Sequence, residues 1–297
     1  MIGRLRSRIA HALDRRFEAL HHRVEGLANT IDRKDAVLRE ELAVLKERLD
    51  EEIAPALRIM AGEDAENRRL LEEARNDAEY LLAWEEPDPL VTVILPTYGR
   101  TELFRSRSLP SILAQTHERL EVLVIADAPD AESEAAAREA GDARVRSLSL
   151  AQRYVYPDAS RHWQAASTLT RNEGYRLARG RWLFDADDDD SLPPDAVELL
   201  LEAARDRRAE AVQGLIRHVD PNGGTHDERA ELPARLPLKG ALVHAHLRFF
   251  AREHVASAFG VPGDWFRGER MLRAGVRIEL LDRVTYEYYP SSLWLPS

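Results

Sequence analysis

From Val91 onward, short β-branched runs alternate with helix-period stretches, and that alternation leaves few folds open. Val91–Leu95, Glu121–Ala126, Val145–Leu150, Arg181–Phe184 and Ala211–Val219 read as strands. Between them Glu102–Gln115 (interrupted at Pro110), Ala131–Ala140, Ser167–Ala178 and Pro194–Arg207 read as helices. Such alternation implies an α/β fold, with a largely parallel sheet covered by helices on both faces. In sheets of this kind ligands bind beyond the carboxyl ends of the strands. Residues that carry chemistry are therefore sought just after strands.

Residues 1–86 follow a different rule. Apolar side chains recur at Ile2, Leu5, Ile9, Leu13, Phe17, Leu20, Val24, Leu27 and Ile31, then at Leu38, Leu42, Leu45, Leu49, Ile53 and Leu57. Counting the Ile31–Leu38 gap as two steps, the mean spacing is roughly 3.7 residues, which is helical. A stripe this long cannot bury itself, so this helical or coiled-coil arm is expected to pack on a partner helix of another copy, on the following domain or on a membrane surface. Residues 1–24 carry six arginines against Asp14 and Glu18, a net of +4. A basic amphipathic start of this kind can rest on anionic lipid. Pro55 is expected to kink or end the first long helix. Glu85-Glu86-Pro87-Asp88-Pro89 reads as a linker to a second domain, 87–297.

Composition removes several classes. The 297 residues hold no cysteine, which excludes a disulfide scaffold, a zinc ribbon and a thiol nucleophile. Forty-two Lys and Arg against 52 Asp and Glu give a net charge of −10, which argues against broad nucleic-acid binding. No apolar run is long enough to span a bilayer, and no secretory apolar region follows the first arginines. The expected compartment is the cytoplasm, with peripheral contact at the inner face of the membrane.

Four features follow strands or open helices. The acidic run Asp185-Ala186-Asp187-Asp188-Asp189-Asp190 closes the tryptophan-bearing strand. Adjacent carboxylates repel one another by about 4 kcal/mol at 4 Å and an effective dielectric near 20. A hard divalent cation relieves that repulsion. A solvated acidic loop, or a cap for the helix near Pro194, is the alternative. Pro96-Thr97-Tyr98-Gly99-Arg100 forms a turn after the first strand, where backbone can approach a ligand. Asp127 ends the second strand, a position from which a carboxylate can accept from a ribose hydroxyl or a base N–H. Arg171-Asn172 opens a helical segment, and Arg171 can answer phosphate charge.

In order and spacing these segments resemble glycosyltransferase family 2. The resemblance rests on Val91–Arg100, Ser111-Ile-Leu-Ala-Gln-Thr116, Leu120–Asp127, Thr170-Arg-Asn-Glu-Gly174, Ala178–Phe184 and the aspartate run. It covers about residues 89–290 and leaves the arm outside. It implies a GT-A fold, a nucleotide-diphosphate sugar donor, Mg²⁺ or Mn²⁺, and inversion at the anomeric carbon. Carried over residue by residue, Pro96, Thr97 and Tyr98 line the nucleoside pocket. Asp127 recognises base or ribose, and Arg171 lies on the donor side. Asp187 and Asp189 fall at the ends of the family's Asp-x-Asp as metal ligands, with Asp188 between them. Asp185 stands where the family has an apolar residue. The family's base is an acid about eleven residues before a helix-closing glycine. Gly263–Gly275 supplies Asp264 at that spacing, with Glu269 as the rival. Leu242–Arg252 resembles the segment bordering the acceptor, which puts His246 rather than His244 on the acceptor side; Trp265, next to Asp264, is also expected there.

Ala126, Ala128 and Pro129 replace the family's acidic and small polar residues around Asp127. The Gln-x-x-Arg-Trp signature of processive members is absent, so a single-addition enzyme is expected. The implied activity is sugar transfer to a carbohydrate or glycolipid acceptor in surface polysaccharide or glycolipid assembly. The competing readings are a sugar-phosphate nucleotidyltransferase and a non-catalytic sugar-nucleotide-binding assembly protein.

Overall fold

A computed structural model describes residues 18, 20–27, 34–35, 37–46, 54–153, 162–232, 236–254, 256 and 261–290. The chain divides into two compact units, Met1–Ala61 and Gly62–Ser297. In the first, the described residues between 18 and 46 are helical. Their apolar side chains Leu20, Val24, Leu27, Leu38, Leu42 and Leu45 are exposed. Residues 1–17, most of the basic segment expected to meet lipid, lie outside the described residues. Pro55 lies in helix α1, described over Ala54–Arg75. Whether it ends a preceding helix falls on 47–53, also outside the described residues.

The second unit begins earlier than the linker suggested. Leu71, Tyr80, Ala83 and Trp84 are buried in its core. The Trp84 indole donates to the Ala209 carbonyl (2.9 Å), and the Trp182 indole donates to that of Ala83 (3.0 Å). The proline-rich segment is tied down as well, since Arg205 donates to the carbonyls of Glu86 (2.8 Å) and Pro87 (2.6 Å). Composition marked this stretch as a linker because prolines and acids avoid regular structure. Its backbone carbonyls are nevertheless used.

Among the described residues the sheet has eight strands, and its path runs β3-β2-β1-β4-β7-β5-β6, with β8 pairing β5. These are β1 (Val91–Thr97), β2 (Leu120–Ala126), β3 (Val145–Ser149), β4 (Trp182–Asp185), β5 (Ala211–Val219), β6 (Thr225–Glu228), β7 (Leu242–His244) and β8 (Ile278–Tyr288). The β1–β2, β1–β4, β2–β3 and β5–β8 pairs are parallel. β7 runs antiparallel to both β4 and β5, and β6 is antiparallel to β5.

Continuous apolar strands are expected where both faces are covered. Val93 and Leu95 join Phe104, Ile112 and Leu200 on one face of the sheet. Ile94, Leu123 and Ile125 meet Tyr175 on the other. Helices α2 (Ala131–Glu139), α3 (Thr168–Leu177), α4 (Ala196–Arg207) and α5 (Gly263–Ala274) complete the layers. The interruption expected at Pro110 is a stretch of π-helix, Phe104–Ser108, after which Pro110 sits in the first turn of Leu109–Leu113.

Candidate active site

Every parallel strand of the first half delivers a turn to the same end of the sheet. β1 delivers Pro96, Thr97 and Tyr98; β2 delivers Asp127; β4 delivers the aspartates. The Ser111–Thr116 motif fixes the exit of the aspartate loop. Gln115 donates to the Pro193 carbonyl (2.7 Å) and accepts from the Val197 N–H (3.0 Å). The Ser111 hydroxyl accepts from the Leu192 N–H (3.2 Å).

The result is a cleft of about 550 Å³. Pro96, Thr97, Tyr98, Asp127, Arg171, Asp187, Asp188, Asp189, Asp264 and Trp265 all line it. Residues almost 170 positions apart in the chain thus share one cavity. Asp264 lies in the first turn of α5, whose cap residue is Pro262. Among the described residues no hydrogen bond engages its carboxylate, and the Arg252 guanidinium is close enough to feel its charge.

Charge in the aspartate run is divided unevenly. Asp185 is buried beneath the others and binds the Tyr175 hydroxyl (2.6 Å) and Arg252 (3.1 Å). Burial would raise its carboxyl, but Arg171, Arg252 and Arg267 hold it below the ordinary range. That is why an acid is tolerated where the family has an apolar residue. Asp187 pairs with Arg171 and with Lys239 (2.8 Å). Burial is again outweighed, by Lys239 and Arg171, and Asp187 stays well below its ordinary value. Asp188 and Asp189 share a single guanidinium, with Arg100 Nη1 at 3.2 Å and 2.5 Å. One cation does not offset burial plus neighbouring acids, and both carboxyls are pushed up to about 6.

Among the described residues no group of three or more His, Cys, Asp and Glu forms a self-contained metal cage. Asp187 and Asp189 present only carboxylate oxygens, the donor type that hard cations accept. A cation here would take its other ligands from substrate and water, which is the usual pattern for Mg²⁺ at phosphates.

His246 does not belong to the cleft. After β7 the chain enters a short 3₁₀ turn, Ala245–Phe249, and turns its histidines toward the N-terminal segment. The His244 ring stacks on Tyr80 (4.2 Å between centroids), and His246 stands edge-on to Tyr80 and 3.7 Å from Asp77. The antiparallel entry of β7 reverses the chain, so residues after it leave from the end of the sheet away from the aspartates.

Several lining residues went unread in the sequence: Arg100, Arg153, His218, Glu228, Lys239, Arg252 and Tyr288. Arg100 was visible as the last residue of the first turn. The others sit on β5, β6 and β8 or in irregular segments, where no local spacing marks them.

Among the described residues no helix is long and apolar enough to cross a membrane. The family model for glycosyl transferase family 2 matches residues 92–255. Chondroitin synthase of Escherichia coli is 30% identical over 167 residues, which is 54% of this chain and 22% of that protein. Succinoglycan biosynthesis protein ExoO of Rhizobium meliloti (strain 1021) is 32% identical over 151 residues, 50% of this chain and 40% of that protein. The chain therefore spans less than half of either curated relative. S. aureus TarS residues 1–349 in complex with UDP-GlcNAc share the fold at a TM-score of 0.53 and 17% identity, covering 68% of this chain and 59% of that one. The α/β architecture is thus of the GT-A type. With the family match covering more than half of its length, the chain belongs to glycosyl transferase family 2.

Proposed function

We propose that the cleft moves a sugar from a nucleotide-diphosphate sugar to an acceptor hydroxyl in one inverting displacement. The observation that carries this is the meeting of Asp187, Asp188 and Asp189 with Asp264 in one cavity, which also holds Tyr98 and Asp127. The nucleoside is placed against Pro96, Thr97, Tyr98 and Asp127. Arg171 orients Asp187 rather than facing the donor directly, because it is buried against Asp185 and Asp187. Asp187 and Asp189 are the residues that would hold Mg²⁺ or Mn²⁺. Such an ion supplies positive charge to the diphosphate as it leaves.

Asp264 is assigned as the general base. As the acceptor oxygen bonds to the anomeric carbon, its proton passes to Asp264, and the electrons of the cleaved bond leave with the nucleoside diphosphate. General-base assistance is typically worth about 10²–10⁴ in rate. Surface polysaccharide or glycolipid assembly is the proposed setting, supported by relatives named for chondroitin and succinoglycan.

The test is a pair of variants. Asp264→Asn is expected to lower transfer by about 10²-fold or more while UDP binding with Mn²⁺ stays within twofold. Asp189→Ala is expected to remove the metal-dependent part of UDP binding. Unchanged transfer in the first, or unchanged titration in the second, overturns the corresponding assignment.

A further inference from the structure

The far wall of the cleft is built by β5, β6 and β8, and nothing above gives it a role. Sheet register places its side chains in two rows. His226, His218 and Tyr288 stand opposite one another across β6, β5 and β8, and Glu228, Ile216 and Tyr286 form the next row. Directly paired residues point to the same face of a sheet, and positions two apart share that face. The His218 ring stacks on His226 (4.5 Å) and meets Tyr288 edge-on (5.1 Å). His218 Nε2 lies 2.6 Å from the Glu228 carboxylate; because the carboxylate accepts, that nitrogen is the donor.

The wall is joined to the aspartate run. The Asp187 N–H donates to the Tyr286 hydroxyl (2.9 Å). Lys239 lies 4.2 Å above the Tyr288 ring while pairing with Asp187 and Asp190. Strand order then fixes sides. β1 and β2, with Tyr98 and Asp127, lie on one side of β4, and β5 lies on the other. A donor that spans from Asp127 to the β4 aspartates leaves the β5 side open for the second substrate. Asp264 and Trp265 line the same cavity.

We propose that this wall is the acceptor subsite and that its occupant is an uncharged or weakly charged pyranoside, with the His218–Glu228 pair reading its hydroxyls and Trp265 covering a ring face. The inference rests on the transferase reading above. A coupled donor and carboxylate suit vicinal hydroxyls, each of which donates and accepts. An aromatic ring lining the same cavity suits the C–H face of a sugar. The basic groups nearest the wall are already committed, Lys239 to Asp187 and Asp190, and Arg252 to Asp185. The wall therefore offers little positive charge to a phosphate-bearing lipid.

Saturation-transfer NMR on the full chain tests this, with UDP and Mn²⁺ saturating and methyl β-pyranosides of glucose, galactose, N-acetylglucosamine and glucuronic acid as probes. The wild type is expected to bind at least one of the three uncharged pyranosides, and binding of the glucuronide alone overturns the proposal. His218→Ala and the milder Glu228→Gln should each weaken that binding by about tenfold or more. UDP affinity should stay within twofold in both variants, which also reports that they fold. Unchanged pyranoside binding in both variants overturns the proposal. So does a wild type that binds UDP and a short-chain polyprenyl phosphate but no pyranoside. A parallel loss of UDP binding in the variants overturns it too, because the wall would then serve the donor. Failure of the wild type to bind any of UDP-, GDP-, dTDP- or CMP-sugars would instead count against the transferase reading itself.

Discussion

Asn172 holds the peptide of Arg252 with both ends of its amide. Its Nδ2 donates to the Arg252 carbonyl (2.9 Å), and its Oδ1 accepts from the Arg252 N–H (2.8 Å). The pair joins α3 to a segment that α5 also grips, through Arg267 on the Phe250 carbonyl (2.7 Å) and Arg270 on that of Ala251 (2.9 Å). Arg252 in turn reaches Asp185, at the start of the aspartate run. One short segment therefore connects α5, which carries Asp264, to α3 and to the start of the aspartate run.

Asn172→Ala is expected to lower stability by about 2 kcal/mol, since two backbone groups in a partly buried site lose their partners. Turnover should fall further than that loss explains, with UDP affinity little changed. Steady-state kinetics beside urea melts separate the effects; a variant as active as wild type would show that the segment is held without Asn172.

Glu210 anchors the N-terminal part of the second unit. It is fully buried and accepts from Arg75 Nε (2.7 Å) and Nη2 (2.8 Å), from the Arg277 N–H (2.7 Å) and from the Tyr80 hydroxyl. Removing one charge of a buried pair costs about 3–5 kcal/mol, and partial exposure of Arg75 argues for the lower end. Glu210→Gln should therefore destabilise by about 3 kcal/mol in urea unfolding. A loss below about 1 kcal/mol would place the anchor in the aromatic contacts instead.

His244 makes stability depend on pH. Its Nε2 donates to the Tyr80 carbonyl (2.9 Å), and its Nδ1 accepts from the His246 N–H (3.1 Å), so only the neutral ring fits. Burial is the main cause that lowers it, from 6.5 to about 4. Between those values the unfolded chain holds a proton that the folded chain does not, so stability rises with pH. The contribution is complete above the unfolded value and is lost as pH falls toward the folded one. From pH 7 to pH 5 the loss should be about 2 kcal/mol greater in wild type than in His244→Asn. Equal losses in paired urea titrations would contradict the assignment.

Gly174 sits where α3 crosses β1. An added Cβ would lie 2.5 Å from Ile94 Cγ2 and 3.2 Å from Ile125 Cδ1. Alanine favours the helix by about 1 kcal/mol, but overpacking typically costs about 1–3 kcal/mol. Ile94 is fully buried, so its methyl has little room to turn aside. Gly174→Ala should therefore be net destabilising by calorimetry; a raised Tm would show that the two elements can part.

The sequence alone determined the first half of the sheet and the residues that close its strands. Val91–Thr97, Leu120–Ala126 and Trp182–Asp185 are buried on both faces, so hydrophobic runs announce them, and the turns beyond them carry Tyr98, Asp127 and the aspartates. Asp264 was singled out through the family's spacing to a helix-closing glycine, and the structure puts that position in the cleft. Only the tertiary structure decided which side of the molecule His246 occupies, because the antiparallel turn of β7 depends on pairing with β4 and β5. It also decided that residues 62–86 belong to the second unit and that His218, Glu228, Lys239 and Tyr288 line the cavity that holds the aspartates. Those residues come from half-exposed strands and loops with weak patterning. Their neighbours lie far off in the chain, so no local spacing could encode the contact.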